Sequence, residues 1–123
     1  MRVCNGYYRI DGVGARAGDV DHCGKLRRMP LYAWVGRDGP RGRELRRIHR
    51  QAHLDGLRKL AAAGRVRHAG PLLDAAGDPV GSLVVFEAES LDDARAIAAR
   101  DPYVVESIFE SHEVHETRVV LPE

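Results

Sequence analysis

Two residues able to move a proton stand out for their positions. His53 lies in Arg50-x-x-His53-Leu54, within a stretch whose apolar residues recur at a helical period, and Asp101 lies in Asp101-Pro102-Tyr103-Val104, far along the chain. An imidazole beside a carboxylate is a general acid/base unit: the carboxylate fixes the tautomer and supports the imidazolium, and the second ring nitrogen handles the proton. Each residue also has a plainer use. Asp before Pro is a helix N-cap followed by a first-turn proline. A histidine on an apolar face can be a core residue satisfied by a neighbour, since an unsatisfied buried polar group costs roughly 1–3 kcal/mol. From the residues alone, both uses stay open.

Other candidates surround this pair. Arg50, at the border of the apolar face, is suited to clamp a substrate carboxylate or phenolate, and Ser82, after Gly81, to donate to a bound ligand; a solvated arginine and a strand-start serine are the plain alternatives. His49 and His53 form H-x-x-x-H, a metal-ligand spacing on one helix face. A third ligand from Asp101, His68 or His112 would have to be added, so no metal is expected and His49 is read as a core or rim residue. His112 and His115 stand at odd separation on a strand and so point to opposite faces. Tyr103 reads as a packing residue with a polar tip.

The elements that must position these groups follow from periodicity and punctuation. Leu31–Val35 is a short apolar run with β-favouring residues, closed by Gly36 and the Asp38-Gly39-Pro40 breaker. A helix is expected from Gly42 or Arg43 to Gly64, with Leu45, Ile48, His49, Ala52, His53, Gly56, Leu57, Leu60 and Ala63 on its inward face. Arg46 and Lys59 intrude on that face and are expected to carry their charges to its edge. A second strand spans 65–73; Pro71 cannot donate to a ladder, so the strand lies at an edge, is bulged, or ends there. The loop 74–79 leads to a third strand, 81–87, paired with the second as a hairpin. Ser90-Leu-Asp-Asp93 resembles a capping box and starts a helix that stops at Arg100, before the Asp101-Pro102 turn. The last strand is expected over Phe109–Leu121. The order β-α-β-β-α-β is the ferredoxin-like plan, an α+β fold with an antiparallel sheet and two helices on one face.

Composition narrows the partners. The 123 residues suit one domain, here 29–123, without staples. Nineteen Lys and Arg against eighteen Asp and Glu leave a net charge of +1, so no global field favours nucleic acid or an anionic membrane. A small-molecule ligand is the better expectation. No apolar run is long enough to span a membrane, and Cys4 and Cys23 show no metal spacing, which together with the absence of a signal-like start reads as a cytoplasmic, reducing setting. Residues 1–28 lack apolar periodicity and read as a flexible extension, or as an upstream start before a natural Met29. Within them Gly12-Val-Gly14-Ala-Arg-Ala17 imitates a dinucleotide fingerprint but lacks the flanking strand and helix it would need, so no cofactor is expected.

Arg50-x-x-His53-Leu54, Gly64, Ala69-Gly70-Pro71, Gly81-Ser82, Ser90-Leu91-x-x-Ala94 and Asp101-Pro102-Tyr103-Val104 follow one another as in the YciI-like, YCII-related family, which residues 29–121 of this chain resemble. The resemblance lies in the combination, since each motif alone is common. It implies a dimeric α+β barrel and an active-site His/Asp pair at His53 and Asp101. It also implies proton-transfer chemistry, elimination or isomerisation on a small polar or aromatic substrate. The family includes a dehydrochlorinase of a chlorinated hydroxyquinol, and its fold relatives include muconolactone isomerase-like proteins, an analogy of fold rather than of site. The alternative is a non-catalytic dimeric binding module. The chain departs from the family at Leu121-Pro122-Glu123, which lacks the aromatic that often follows the proline.

Overall fold

The computed structural model describes residues 29–122 and two short upstream strands, β1 (Tyr7–Tyr8) and β2 (Leu26–Arg27), which pair antiparallel. The remainder of the segment expected to be a flexible extension, with Cys4, Cys23 and the Gly12–Ala17 motif, lies outside the described residues.

β3 (Leu31–Asp38) alternates because Tyr32 and Trp34 turn toward the core while Leu31, Ala33 and Val35 turn away. It continues past Gly36 to Asp38, beyond the expected end at Val35, pairing with neighbours on both sides over that length. α1 (Gly42–Ala62) follows and stops where Gly64 takes φ +74, a left-handed conformation suited to a residue without Cβ. β4 (Val66–Leu73) and β5 (Pro79–Glu87) form the hairpin. α2 (Leu91–Ala99) and the short α3 (Pro102–Val105) lead into β6 (Phe109–Thr117).

The sheet order is β4-β5-β3-β6, every neighbour antiparallel. This is the ferredoxin-like α+β fold. β4 is an edge strand with register shifts near both ends, so Pro71 costs no interior ladder bond. One sheet face, carrying Tyr32, Trp34, Val84, Phe86 and Val114, is packed by Leu57 of α1, Ala94 and Ala98 of α2, and Tyr103 of α3. Alanines at the buried positions of α2 let that short helix sit close to the sheet.

Two expectations are corrected. Val119, Val120 and Leu121 are outside β6 and exposed; the ladder ends at Leu31↔Thr117, because the next residue along, Pro30, has no N–H to donate and gives its carbonyl to Ala88 N. On α1, Ile48, Ala52, Gly56 and Ala63 are exposed, whereas Arg46 is half-buried and His53 and Leu57 are buried. The inward stripe is rotated toward Arg46 because a buried counter-charge accepts that arginine, as described below. Among the described residues no helix is long and apolar enough to cross a membrane.

The start of α2 fixes the approach to α3. Ser90 Oγ accepts from Asp93 N at 3.1 Å, and Asp93 Oδ2 accepts from Glu89 N at 3.0 Å, one residue earlier than in the usual box because Asp is shorter than Glu. Ser90→Ala is expected to cost about 1 kcal/mol and Ser90→Thr much less, read as a fall in Tm of roughly 4–8 °C for the alanine variant in thermal denaturation.

Candidate active site

α1 and α3 bring His53 and Asp101 together. His53 Nδ1 stands 2.8 Å from Asp101 Oδ1 and 2.9 Å from Oδ2, with the two residues 6 % and 8 % exposed. Asp101 is also the N-cap of α3, Oδ1 accepting from Tyr103 N at 2.8 Å. The carboxylate is therefore held by the backbone it caps. In this arrangement Nδ1–H donates to the carboxylate, which leaves Nε2 as the nitrogen able to accept a proton.

The imidazole is fixed on its flat side as well. Tyr103 stacks on it with ring centroids 3.8 Å apart and planes within 4°, and Trp34 meets its edge at 6.5 Å. Phe109 in turn meets both Trp34 and Tyr103 edge-on, so the ring cluster is closed behind the histidine. On the open side lies a cavity of about 460 Å³ between α1, α3 and the β4–β5 hairpin, with His53, Tyr103 and Ser82 in its wall. Among the described residues the one side-chain nitrogen or oxygen sealed from solvent without a partner is Trp34 Nε1. Burial raises the Tyr103 pKa above its ordinary 10.0, against the lowering pull of Arg46 and Arg50. Its hydroxyl is thus a neutral donor at physiological pH.

Arg46, expected to lift its charge to the helix edge, does the opposite. Its Nε and Nη2 donate to Asp38 Oδ2 and Oδ1 at 2.6 and 2.8 Å, and Nη2 also donates to Gly81 O at 2.7 Å and Ser82 Oγ at 3.1 Å. Its guanidinium carbon lies 5.0 Å from the Tyr103 ring centroid. Burial works against the arginine's charge, but the hydrogen bond and the attraction of Asp38 outweigh it and hold the pKa above the ordinary value. Gly42 makes room for this pair: a Cβ there would stand 2.5 Å from Asp38 Oδ2. One guanidinium thus ties the first turns of α1 to the end of β3 and the start of β5. It also points Ser82 Oγ, leaving the serine's own O–H to donate.

Of the residues named from sequence, His53, Arg50 and Ser82 line the cavity, while Asp101 stands behind His53. His49 is only half-buried; His68, His112 and His115 are exposed, His115 on Glu113 at 2.8 Å. None of them joins His53 in a group of three metal-type ligands among the described residues. Sequence reading missed Arg46, Asp38 and the stacking role of Tyr103. Arg46 lies seven residues before His53, two helical turns along the same stripe, a signal that its charge obscured.

Comparison with known proteins gives the family and the fold. Residues 30–118 match the YCII-related domain. Over 87 residues the chain is 39 % identical to Protein YciI of Escherichia coli O6:H1, and equally to that of Shigella flexneri, covering 65 % of this chain and 88 % of each relative. Among solved structures it is similar to the 5-chloro-2-hydroxyhydroquinone dehydrochlorinase of Burkholderia phenoliruptrix AC1100, in complex with 2,5-dihydroxybenzoquinone. The TM-score is 0.65 at 28 % identity, over 72 % of this chain and 93 % of that one.

The Asp38–Arg46 pair, with side chains 7 % and 13 % exposed, gives a direct test. Asp38→Asn leaves a buried guanidinium without its counter-charge and is expected to destabilise by about 3–5 kcal/mol in urea denaturation. Replacing both partners by apolar residues of similar volume is expected to cost far less.

Proposed function

The chain belongs to the YCII-related family, and from that premise we propose that it is a small enzyme in which His53 transfers a proton in an elimination or isomerisation of a small polar or aromatic substrate. The observation that carries this is His53 Nδ1 shared between both Asp101 oxygens, with His53 in the wall of a cavity of ligand size. Nε2 accepts a substrate proton while Asp101 supports the imidazolium that forms. In an elimination the electron pair released from the broken O–H or C–H bond forms a new double bond, and the leaving group departs with its own pair. In an isomerisation the same imidazolium returns the proton to another atom. Ser82 and Arg50 hold the substrate's oxygens, and the neutral Tyr103 hydroxyl donates beside them. The likeness to a dehydrochlorinase supports elimination from a hydroxylated ring.

A second reading, a non-catalytic binding module, draws on the capping bond from Tyr103 N, which gives Asp101 a structural task of its own. Turnover separates the two. With 5-chloro-2-hydroxyhydroquinone as probe and chloride release as readout, His53→Ala and Asp101→Asn are expected to keep ligand affinity and lose roughly 10²–10⁴-fold in kcat. Binding with no chloride release by the unaltered protein, or activity that merely follows the folded fraction of the variants, would favour the binding module.

This reading includes a homodimer. The sheet face away from the helices carries Ala33, Val35, Leu83 and Val85, each only half-buried. A second copy of the same face is the self-complementary cover that a two-fold axis provides. Light scattering at micromolar concentration is expected to give twice 13.6 kDa; a monomeric mass would sink this part of the reading.

A further inference from the structure

The cavity wall on α1 changes character along the helix. Its second half is Leu54 and Leu57 around His53, and its first half is Arg43, Arg46, Arg47 and Arg50; no aspartate or glutamate lines the cavity. In a chain whose formal net charge is +1, such a concentration of one sign is local. These four arginines are not equivalent. Arg43 is taken by Asp78 at 2.6 Å, and Arg46 by Asp38, Gly81 O and Ser82. Arg47 and Arg50 have no hydrogen bond or ion pair among the described residues, yet both line the cavity. The charge of Arg50 reaches Tyr103, whose pKa it lowers against the raising effect of burial.

We infer that Arg47 and Arg50 are a built receptor for a carboxylate, so that the ligand is a small ring-bearing carboxylic acid whose body lies against Leu54, Leu57 and Val84. At 1.5 Å rise per residue, Arg50 stands about 4.5 Å and Arg47 about 9 Å along the axis from His53. A carboxylate gripped there sets a single ring against the imidazole and keeps the anion off it. Planar guanidiniums suit this because each offers two parallel N–H groups to one carboxylate. The inference rests on the cavity being the ligand site of the reading above, but not on turnover.

The test is calorimetric titration of the full chain at low salt with 2,5-dihydroxybenzoate and with hydroquinone, the same ring without the carboxylate. The carboxylate is expected to bind about tenfold or more tightly, from charge-assisted bonds, and to lose that advantage as salt is raised. The double variant Arg47→Gln/Arg50→Gln, checked for folding by circular dichroism, is expected to bind both probes alike. Arg58→Gln, an exposed arginine of α1 paired with Asp55 and outside the cavity, is expected to change nothing. His53→Ala is expected to keep the preference. Equal affinities, failure of the carboxylate to bind at millimolar concentration, or a preference that survives the double variant would overturn the inference. A preference retained by a protein that turns nothing over would leave it standing while the catalytic reading fell.

Discussion

The bond between Asp101 and His53 constrains more of this molecule than any other single contact. One carboxylate oxygen accepts both from the backbone it caps and from an imidazole on a helix 48 residues earlier in the chain. The cap fixes where the carboxylate is; the carboxylate fixes which way the imidazole faces; and α1 must then pack against α3 at the height of His53. Tyr103, two residues on, falls on the flat face of the same ring. The Asp-Pro-Tyr order thus does three things in one turn: it starts a helix, anchors a histidine and walls its ring. None of this would hold if α2 ended elsewhere, and Asp101-Pro102 ends it.

A second polar anchor acts at the other end of the cavity. Two charges buried together gain from each other only when their remaining bonding capacity is also met. Arg46 goes far toward meeting this condition: Asp38 takes Nε and Nη2 bidentately, and Gly81 O and Ser82 Oγ accept further from Nη2. The consequence is geometric, because β3, α1 and β5 meet at that guanidinium, and the cavity wall beside Ser82 is set by it. The two anchors, Asp38–Arg46 and Asp101–His53, lie two turns apart on one stripe of α1. Between them the helix has little freedom to roll, which is the condition for a preorganised site.

The fold was legible because its signals are local. Gly64, Ser90 and Asp101-Pro102 mark element ends by backbone chemistry that does not depend on distant residues, the elements begin and end at or close to those marks, and Pro71 marks β4 as an edge strand. Pairing His53 with Asp101 came from placing two helices on one face of a sheet, with the family resemblance naming the same two positions. What was not legible depends on partners remote in sequence. Ile48, Ala52 and Gly56 read as inward because they are apolar or small, and Arg46 read as a misfit because it is charged. The stripe turns inward at Arg46 only because Asp38 waits eight residues earlier at the end of β3. Hydrophobic periodicity detects faces that meet apolar matter; a face that meets a counter-ion and a polar cavity is invisible to it. The overlong last strand fails for a similar reason, since a strand ends where its neighbour does, and Val119–Leu121 carries no mark of where β3 begins.

The arginines of α1 show how burial sorts identical side chains into different tasks. Arg46 is enclosed, so its charge must be matched within the protein, and once matched it is a fixed part of the wall rather than a hand for ligands. Arg47 and Arg50 remain wet, so leaving them unmatched costs little, and an arriving anion trades only weakly held water for paired N–H groups. Without Arg46, the helix bearing His53 would lose its tie to the sheet; Arg47 and Arg50 are the arginines that the proposed reading gives to a charged ligand. The i, i+4 step from Arg46 to Arg50 and the i, i+3 step from Arg50 to His53 put these three side chains in that order along one face; in the proposed reading they are anchor, anion receptor and base, and that order would set which end of a ligand the imidazole meets.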